Sequence, residues 1–100
     1  MFNRSKRFKV ITGVLSTQLL PGGPWNRIIL RNNADPVTST DRIGYRLITP
    51  RQDGADTIDY STCEWDLGPG ETIEIDAAVI GVKHVSSAGT PALDICVLSH

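Results

Sequence analysis

Apolar and polar residues alternate with a period of two along much of this 100-residue chain. Within residues 72–76 the isoleucines fall on one face and the acidic residues on the other, which is typical of a β-strand with one face in water. Segments 25–32 and 42–49 alternate in the same way, each with apolar residues inward and a pair of arginines outward. The pattern therefore predicts a strand in each of these three places.

Further strands are predicted toward both ends of the chain. Residues 8–20 alternate less regularly and contain a glycine, which favours one long strand or two short strands with a bulge. The apolar runs 78–85 and 92–98 follow a Gly-Pro-Gly turn, and together with 72–76 they predict a three-stranded antiparallel unit. An irregular edge strand is predicted over 58–67.

Turn signals rich in glycine, proline and asparagine separate these segments, and no helical period is present. We therefore expect an all-β protein: a single β-sandwich of about six to eight short antiparallel strands over residues 9–100. The number of strands does not distinguish a jelly-roll from an immunoglobulin-like order, so both stay open. Residues 1–8 are basic and aperiodic, which predicts a flexible N-terminal arm.

The net charge of −1 conceals two blocks of opposite sign. Residues 1–51 carry nine lysines or arginines and two acidic residues, whereas residues 52–100 carry one and nine. Either the two halves pair their outer faces within one fold, or the molecule has a basic end and an acidic end. The second arrangement suits head-to-tail contact with copies of itself or with a charged partner. If strands 25–32 and 42–49 are neighbours, their four arginines crowd one face and need carboxylates opposite.

No arrangement of residues in the sequence indicates catalysis. His84 is the only internal histidine, so no Ser/His/Asp or Cys/His set can be assembled, and a structural role is expected for it. The acidic segment 53–59 lacks the spacing of a calcium loop and is expected to be solvated. Cys63 and Cys96 have no metal spacing and are expected to be reduced and partly buried. We therefore expect no enzymatic activity, no cofactor and no metal.

Composition also ranks the classes of partner. The longest apolar run is far below the roughly 18 residues that a transmembrane helix needs, and no secretory signal is recognisable, so no membrane contact is expected. A pI near 6.0 disfavours nucleic acid as a partner.

The alternative function is a carbohydrate- or receptor-binding module, in which Trp25, Trp65, Tyr45 and Tyr60 would form a sugar platform. Trp25 opens a strand, however, where core packing is the usual outcome.

Four stretches of the sequence also resemble a known class of proteins. They are 25–33, a strand that ends in Asn-Asn; 67–72, which contains Pro-Gly-Glu-Thr; and the terminal apolar strands 80–85 and 92–98. This pattern resembles the small all-β virion accessory proteins of tailed bacteriophages. The resemblance implies a structural protein of the virion, made in the cytoplasm of the bacterial host. It would be a capsid decoration (cement) protein, or a head, neck or tail accessory protein.

The resemblance and the charge pattern together give an expected mechanism. Copies of the protein bridge neighbouring shell subunits, and contacts that exist only in the assembled state stabilise the shell. The last predicted strand has apolar side chains on both faces, so part of it is available for contact. The expected partners are copies of this chain and the major capsid protein or another virion protein, and no small-molecule ligand is expected. The predicted partner-binding residues are Arg4, Lys6, Arg7, Lys9, Arg27, Arg31, Arg42, Arg46, Cys96 and Leu98.

Overall fold

A computed structural model describes residues 4–51 and 59–100, and in this part of the chain eight strands form two antiparallel sheets. One turn of 3-10 helix, Tyr60–Thr62, lies between the fourth and fifth strands. The all-β prediction is therefore confirmed. The strands are β1 (Arg4–Ile11), β2 (Ser16–Leu19), β3 (Trp25–Asn32), β4 (Ile43–Ile48), β5 (Asp66–Leu67), β6 (Thr72–Val79), β7 (Gly81–Ser86) and β8 (Ala92–Ser99).

The strand order is that of a jelly roll. Sheet A has the order β1-β8-β3-β6, and sheet B has the order β2-β7-β4-β5. β1 pairs with β8, β2 with β7, β3 with β6 and β4 with β5, as in a long antiparallel ribbon that has been rolled up. The pairs β3–β8 and β4–β7 join successive turns of the roll. Eight strands in two such sheets are the jelly-roll architecture, which settles the alternative that the sequence left open.

The predicted three-stranded C-terminal unit is wrong. β6 pairs with β3, β7 pairs with β2 and β4, and β8 pairs with β1 and β3. Only Ile80 separates β6 from β7, which leaves no room for the two-residue turn of a hairpin, and the chain crosses between the sheets there. Ile80 donates its N–H to Ile48 O (2.8 Å) and accepts a hydrogen bond from Leu20 N–H (2.9 Å), so the corner is fixed to sheet B.

The first strand begins at Arg4, the fourth residue of the predicted arm of residues 1–8, whereas the sandwich was predicted to begin at residue 9. All eight residues of β1 pair with β8, so residues 4–8 are part of sheet A. Phe8 and Val10 pack against the core, while Lys9 between them is exposed. Charged residues occupy both faces near the start of β1, which hides the period of two in the sequence. Residues 1–3 lie outside the described part of the chain.

The core lies between the two sheets and is filled by the alternating inward residues of their strands. The residues predicted to face inward in strands 25–32 and 42–49 are confirmed by the burial of Ile28, Leu30, Ile43 and Tyr45, but Ile48, which was predicted to face outward, is buried as well. Burial of each side chain of this size contributes roughly 1.5–3 kcal/mol to stability. The cluster of buried residues comprises Leu20, Trp25, Ile28, Leu30, Ile43, Tyr45, Leu67, Val79, Val82, Leu93, Ile95 and Val97.

Asn32, at the end of β3, joins the two sheets through a fully buried side chain. Its Nδ2 donates to Asp41 O and to Leu67 O, both at 2.9 Å, and its Oδ1 accepts from Ala34 N–H at 3.0 Å. Leu67 belongs to β5 in sheet B, whereas Asn32 belongs to sheet A. The side chain therefore uses both of its donor hydrogens and its acceptor oxygen. It provides hydrogen-bond partners for two carbonyls and one N–H of the backbone.

Thr12 and His84 form a second buried polar contact between the sheets. Thr12 follows β1, His84 lies in β7, and both are almost fully buried. Thr12 Oγ1 lies 3.0 Å from His84 Nδ1, which is hydrogen-bond distance. Burial lowers the pKa of His84 below its ordinary value of 6.5, because a charged imidazolium would lose its hydration there.

We predict that Asn32→Ala lowers the free energy of unfolding by about 3 kcal/mol, since it leaves two carbonyls and one N–H without partners in the interior. Asn33→Ala is the matched control, because Asn33 is exposed and its backbone N–H still donates to Ala92 O. Chemical denaturation of both variants measures the difference. Equal losses for the two variants would show that the Asn32 side chain does not hold the sheets together.

We predict that the protein loses stability as the pH falls below about 6.5. The histidine of the unfolded chain binds a proton there while buried His84 stays neutral, so the unfolded state gains protons first. The slope from this one group cannot exceed about 1.4 kcal/mol per pH unit. His84→Asn should flatten the profile below about pH 6.5, where the histidine of the unfolded chain binds its proton. An unchanged slope in His84→Asn would contradict the assignment.

Candidate functional site

The predicted face of four arginines does not form, because the two strands that carry them lie in different sheets. Arg27 and Arg31 belong to β3 in sheet A. Arg46 belongs to β4 in sheet B, and Arg42 directly precedes that strand. The sequence could not exclude the crowded face, because two strands consecutive along the chain are often neighbours in a sheet.

Six of the ten predicted partner-binding residues do share one surface, the outer face of sheet A. Side chains alternate between the two faces of a strand, so residues that lie opposite one another in register share a face. Because β8 lies between β1 and β3, it brings the basic residues of both strands together. The six residues are Arg7, Lys9, Arg27, Arg31, Cys96 and Leu98.

A row of four residues crosses the middle of this outer face. Arg7 of β1 lies opposite Cys96 of β8, and Cys96 lies opposite Ile29 of β3. Ile29 in turn lies opposite Glu74 of β6. Arg7 and Glu74 are exposed, and the two central residues are half-buried. The row therefore has an apolar centre with a cation at one end and a carboxylate at the other.

A second row, one step toward the β8 N-terminus, carries two cations. Lys9 of β1 and Arg31 of β3 both lie opposite Asp94 of β8, and Arg31 also lies opposite Thr72. Within residues 4–51 and 59–100, neither Lys9 nor Arg31 forms an ion pair, and Arg7 forms none either. A shallow depression of about 580 Å³ lies over both rows, lined by Arg7, Phe8, Lys9, Ile29, Arg31, Asn33, Thr72, Asp94, Ile95 and Cys96.

Arg27 and Arg42 instead pair with carboxylates of the same chain. Arg27 Nε and Nη2 donate to the two oxygens of Asp76, at 2.5 and 3.3 Å. Arg42 Nε donates to Asp66 Oδ2 at 2.6 Å. Each hydrogen bond from arginine holds the pKa of its carboxyl below the ordinary value. These pairs join the basic half of the chain to the acidic half, so the first of the two charge arrangements occurs in this fold.

The other predicted residues lie away from the outer face of sheet A. Arg4 donates to Gly22 O, and its guanidinium carbon stacks over the Trp25 ring, 4.9 Å from the ring centre. Lys6 Nζ lies 5.3 Å from the centre of the Phe8 ring on the core side of β1. Arg46 lies opposite Lys83 in sheet B. These cations therefore contact side chains and backbone of their own molecule or lie on the other sheet.

The aromatic residues do not form the sugar platform that the alternative function requires. The Trp25 side chain is only 2% exposed, and its Nε1 donates to Leu20 O at 3.1 Å. Trp65 is 54% exposed and stacks on buried Tyr45, with 6.3 Å between ring centres. Tyr60 directs its hydroxyl to Asp66 Oδ2 at 2.8 Å. Of the four predicted rings, only Trp65 presents a largely exposed face.

Cys63 and Cys96 are free, half-buried thiols, as predicted. Burial and the nearby carboxylates, Asp66 foremost, raise the pKa of the Cys63 thiol.

No three His, Cys, Asp or Glu side chains are grouped to hold a metal ion in the ranges that the structure describes, which exclude the predicted acidic positions 53 and 56. Those same ranges contain no helix that is both long and apolar enough to cross a membrane.

The sequence did not identify the residues that complete the outer face. Ile29, Thr72, Glu74 and Asp94 lie beside the predicted cations only because β8 and β6 flank β3. Ile29 was the one residue that could have indicated this face from the sequence, because it is apolar at an outward position, where a polar residue is expected. An outward isoleucine between two outward arginines indicates a face that is partly apolar.

Comparisons with protein-family models, with curated proteins and with solved structures found no match to this chain. The likeness to phage virion accessory proteins therefore rests on the pattern of turns and strands in the sequence.

We predict that Asp66→Asn lowers the free energy of unfolding by about 1 kcal/mol near neutral pH, because it removes a partly exposed ion pair with Arg42. The pKa of Asp66 is lowered in the folded state, so its contribution is present above the ordinary value of 3.8 and is lost as the pH falls below it. The difference from the original protein should therefore disappear in acid. Glu64→Gln, at an exposed carboxylate, should have no such effect. A persistent difference at low pH would contradict the ion pair.

Proposed function

We propose that this protein is a non-enzymatic structural protein of a tailed bacteriophage virion. It binds the capsid shell as a decoration protein, through the outer face of sheet A, and bridges neighbouring shell subunits. One observation carries the proposal. Arg7, Lys9 and Arg31 lie beside an apolar centre on this face and have no ion pair among the described residues.

The chemistry of the outer face fits a protein partner with acidic and apolar groups. Arginine is enriched at protein interfaces, and its planar guanidinium pairs with carboxylates through two hydrogen bonds. Asp94 is the carboxylate opposite both Lys9 and Arg31, and carboxylates of a partner would supply the ion pairs that these cations lack within the described residues. Ile29 and Cys96 between them supply apolar area that a partner would remove from water.

The carboxylates on the same face argue against nucleic acid. A phosphate backbone binds surfaces whose charges are uniformly positive, since affinity arises from the release of its counterions. Asp94 lies between Lys9 and Arg31, and Glu74 ends the neighbouring row. Negative charges in these positions would repel a polyanion but could pair with basic groups of a protein.

The size of the face indicates that many copies act together. Four strands about 4.8 Å apart and eight residues of about 3.3 Å each give an area of roughly 500 Å². A stable two-protein interface buries about 800 Å² on each partner. A single contact through this face is therefore weak, and an ordered shell that presents many such contacts compensates through avidity.

The fold and the buried histidine also support a structural role. Jelly rolls are common in viral capsid proteins, and lectins and cupins share the architecture. His84 is buried against Thr12 and is not presented to a substrate. A carbohydrate-binding module would need several exposed rings, and Trp65 alone meets that need among the four predicted aromatic residues. A neck or tail accessory protein could use the same face.

We predict that Arg7→Glu combined with Arg31→Glu weakens binding to the shell about 10-fold or more, because two attractive charges become repulsive. Co-sedimentation with capsid shells of the encoding phage, purified without this protein, measures the binding. Arg51→Glu is the control, since it makes the same kind of change at an exposed site in the loop after β4. Equal binding by the double variant and the original protein would contradict the proposal, as would tight binding of an oligosaccharide by the isolated protein.

A further inference from the structure

Sheet A ends in two long edge strands that match each other. β1 and β6 each contain eight residues, whereas the edge strands of sheet B contain four and two. An edge strand presents a row of unpaired backbone groups to which another strand can bond. Proteins blunt such edges by keeping them short, and that protection is absent from sheet A.

The outward-facing backbone groups of β1 follow from the hydrogen bonds on its other side. Thr12 N–H donates to Pro91 O, so the backbone of Thr12 faces the β8 side. Backbone direction alternates along an antiparallel strand, so Val10, Phe8, Lys6 and Arg4 also bond to β8. The N–H and C=O groups that point away from β8 are therefore those of Ser5, Arg7, Lys9 and Ile11.

The outward backbone groups of β6 follow from its hydrogen bonds to β3. Asn32 N–H donates to Glu71 O, so these two residues form a hydrogen-bonded pair between β3 and the start of β6. Because backbone direction alternates along the strand, the N–H and C=O groups of Ile73 and Ile75 point toward β3. The backbone groups that point away from sheet A are those of Thr72, Glu74 and Asp76.

The two edges carry opposite charge. β1 contains four cations and no acidic residue, and β6 contains two carboxylates and no basic residue. Arg7 and Lys9 are exposed at one edge, and Glu74 and Asp76 are exposed at the other. Pairing β1 with a second β1, or β6 with a second β6, would place like charges opposite each other and is disfavoured. Pairing β1 with β6 of a second molecule is the combination that the charges favour.

We propose that copies of this chain join head to tail by antiparallel pairing of β1 of one copy with β6 of the next, which makes sheet A continuous across the contact. The strands of sheet A alternate in direction, so β1 of one copy and β6 of a copy repeated beside it run antiparallel. In the register that we assign, Lys9 lies opposite Glu74 of the next copy, and Arg7 lies opposite its Asp76.

The contact is a heterologous one, so copies form a ring if the rotation between them closes and a filament if it does not. It concerns the edges of sheet A and does not depend on the proposed binding of the outer face to a shell. Asp76 can keep its bond to Arg27, because its side chain remains 72% exposed.

A reciprocal charge swap tests the pairing on the isolated protein. Sedimentation velocity should show association that grows with protein concentration and weakens with added salt. Lys9→Glu alone and Glu74→Lys alone should each weaken association about 10-fold, since each places like charges opposite one another. An equimolar mixture of the two variants should regain association close to that of the original protein, because the altered β1 edge then meets the altered β6 edge.

Two further variants distinguish edge pairing from a general effect of net charge. Glu64→Lys makes the same charge change at an exposed site outside sheet A and should leave association unchanged. Ser5→Pro removes an outward N–H without changing the charge and should reduce association, while circular dichroism and thermal unfolding show that the fold is kept. A protein that stays monomeric at low salt and high concentration would overturn the proposal. So would association that the two swaps leave intact, or that their mixture does not restore.

Discussion

The rest of the structure depends on the pairing of each strand with one from the other end of the chain. β1 bonds to β8, β2 to β7 and β3 to β6, so most neighbours in the sheets are distant in sequence. The basic first half of the chain is thereby placed against the acidic second half. The ion pairs of Arg27 with Asp76 and of Arg42 with Asp66 and Glu71 join the two halves. The charge blocks of the sequence thus act first as stabilising contacts within one fold.

Period-two patterns allowed the strands to be predicted but not their partners. β3 was predicted over residues 25–32 with the correct inward face, because alternation is a local property of one strand. The corner at Ile80 was missed because residues on both sides of it are apolar, and nothing local marks a change of sheet. Asn32 was predicted only as the last residue of a strand that leads into a turn, since its side-chain bonds depend on groups more distant in the chain, such as Leu67 O.

The same limit explains why the candidate surface was predicted only in part. Arg7, Arg31 and Cys96 were identified from charge and alternation, but their grouping requires β8 to lie between β1 and β3. Arg42 was predicted to meet a partner, whereas Asp66 of its own chain already pairs with it. After these internal pairs have formed, cations remain on one side of sheet A and carboxylates at its opposite edge. We regard that remaining asymmetry as the basis of the proposed contacts with other molecules.

Amide hydrogen exchange along β1 tests most directly whether sheet A is arranged in this way and is used for contact. In the dilute protein, the amides of Phe8 and Val10 should exchange slowly because they bond to β8, and those of Arg7 and Lys9 should exchange quickly because they face water. In the assembled state the Arg7 and Lys9 amides should become protected as well. Uniform exchange along residues 4–11 of the dilute protein, or no added protection on assembly, would contradict the claim.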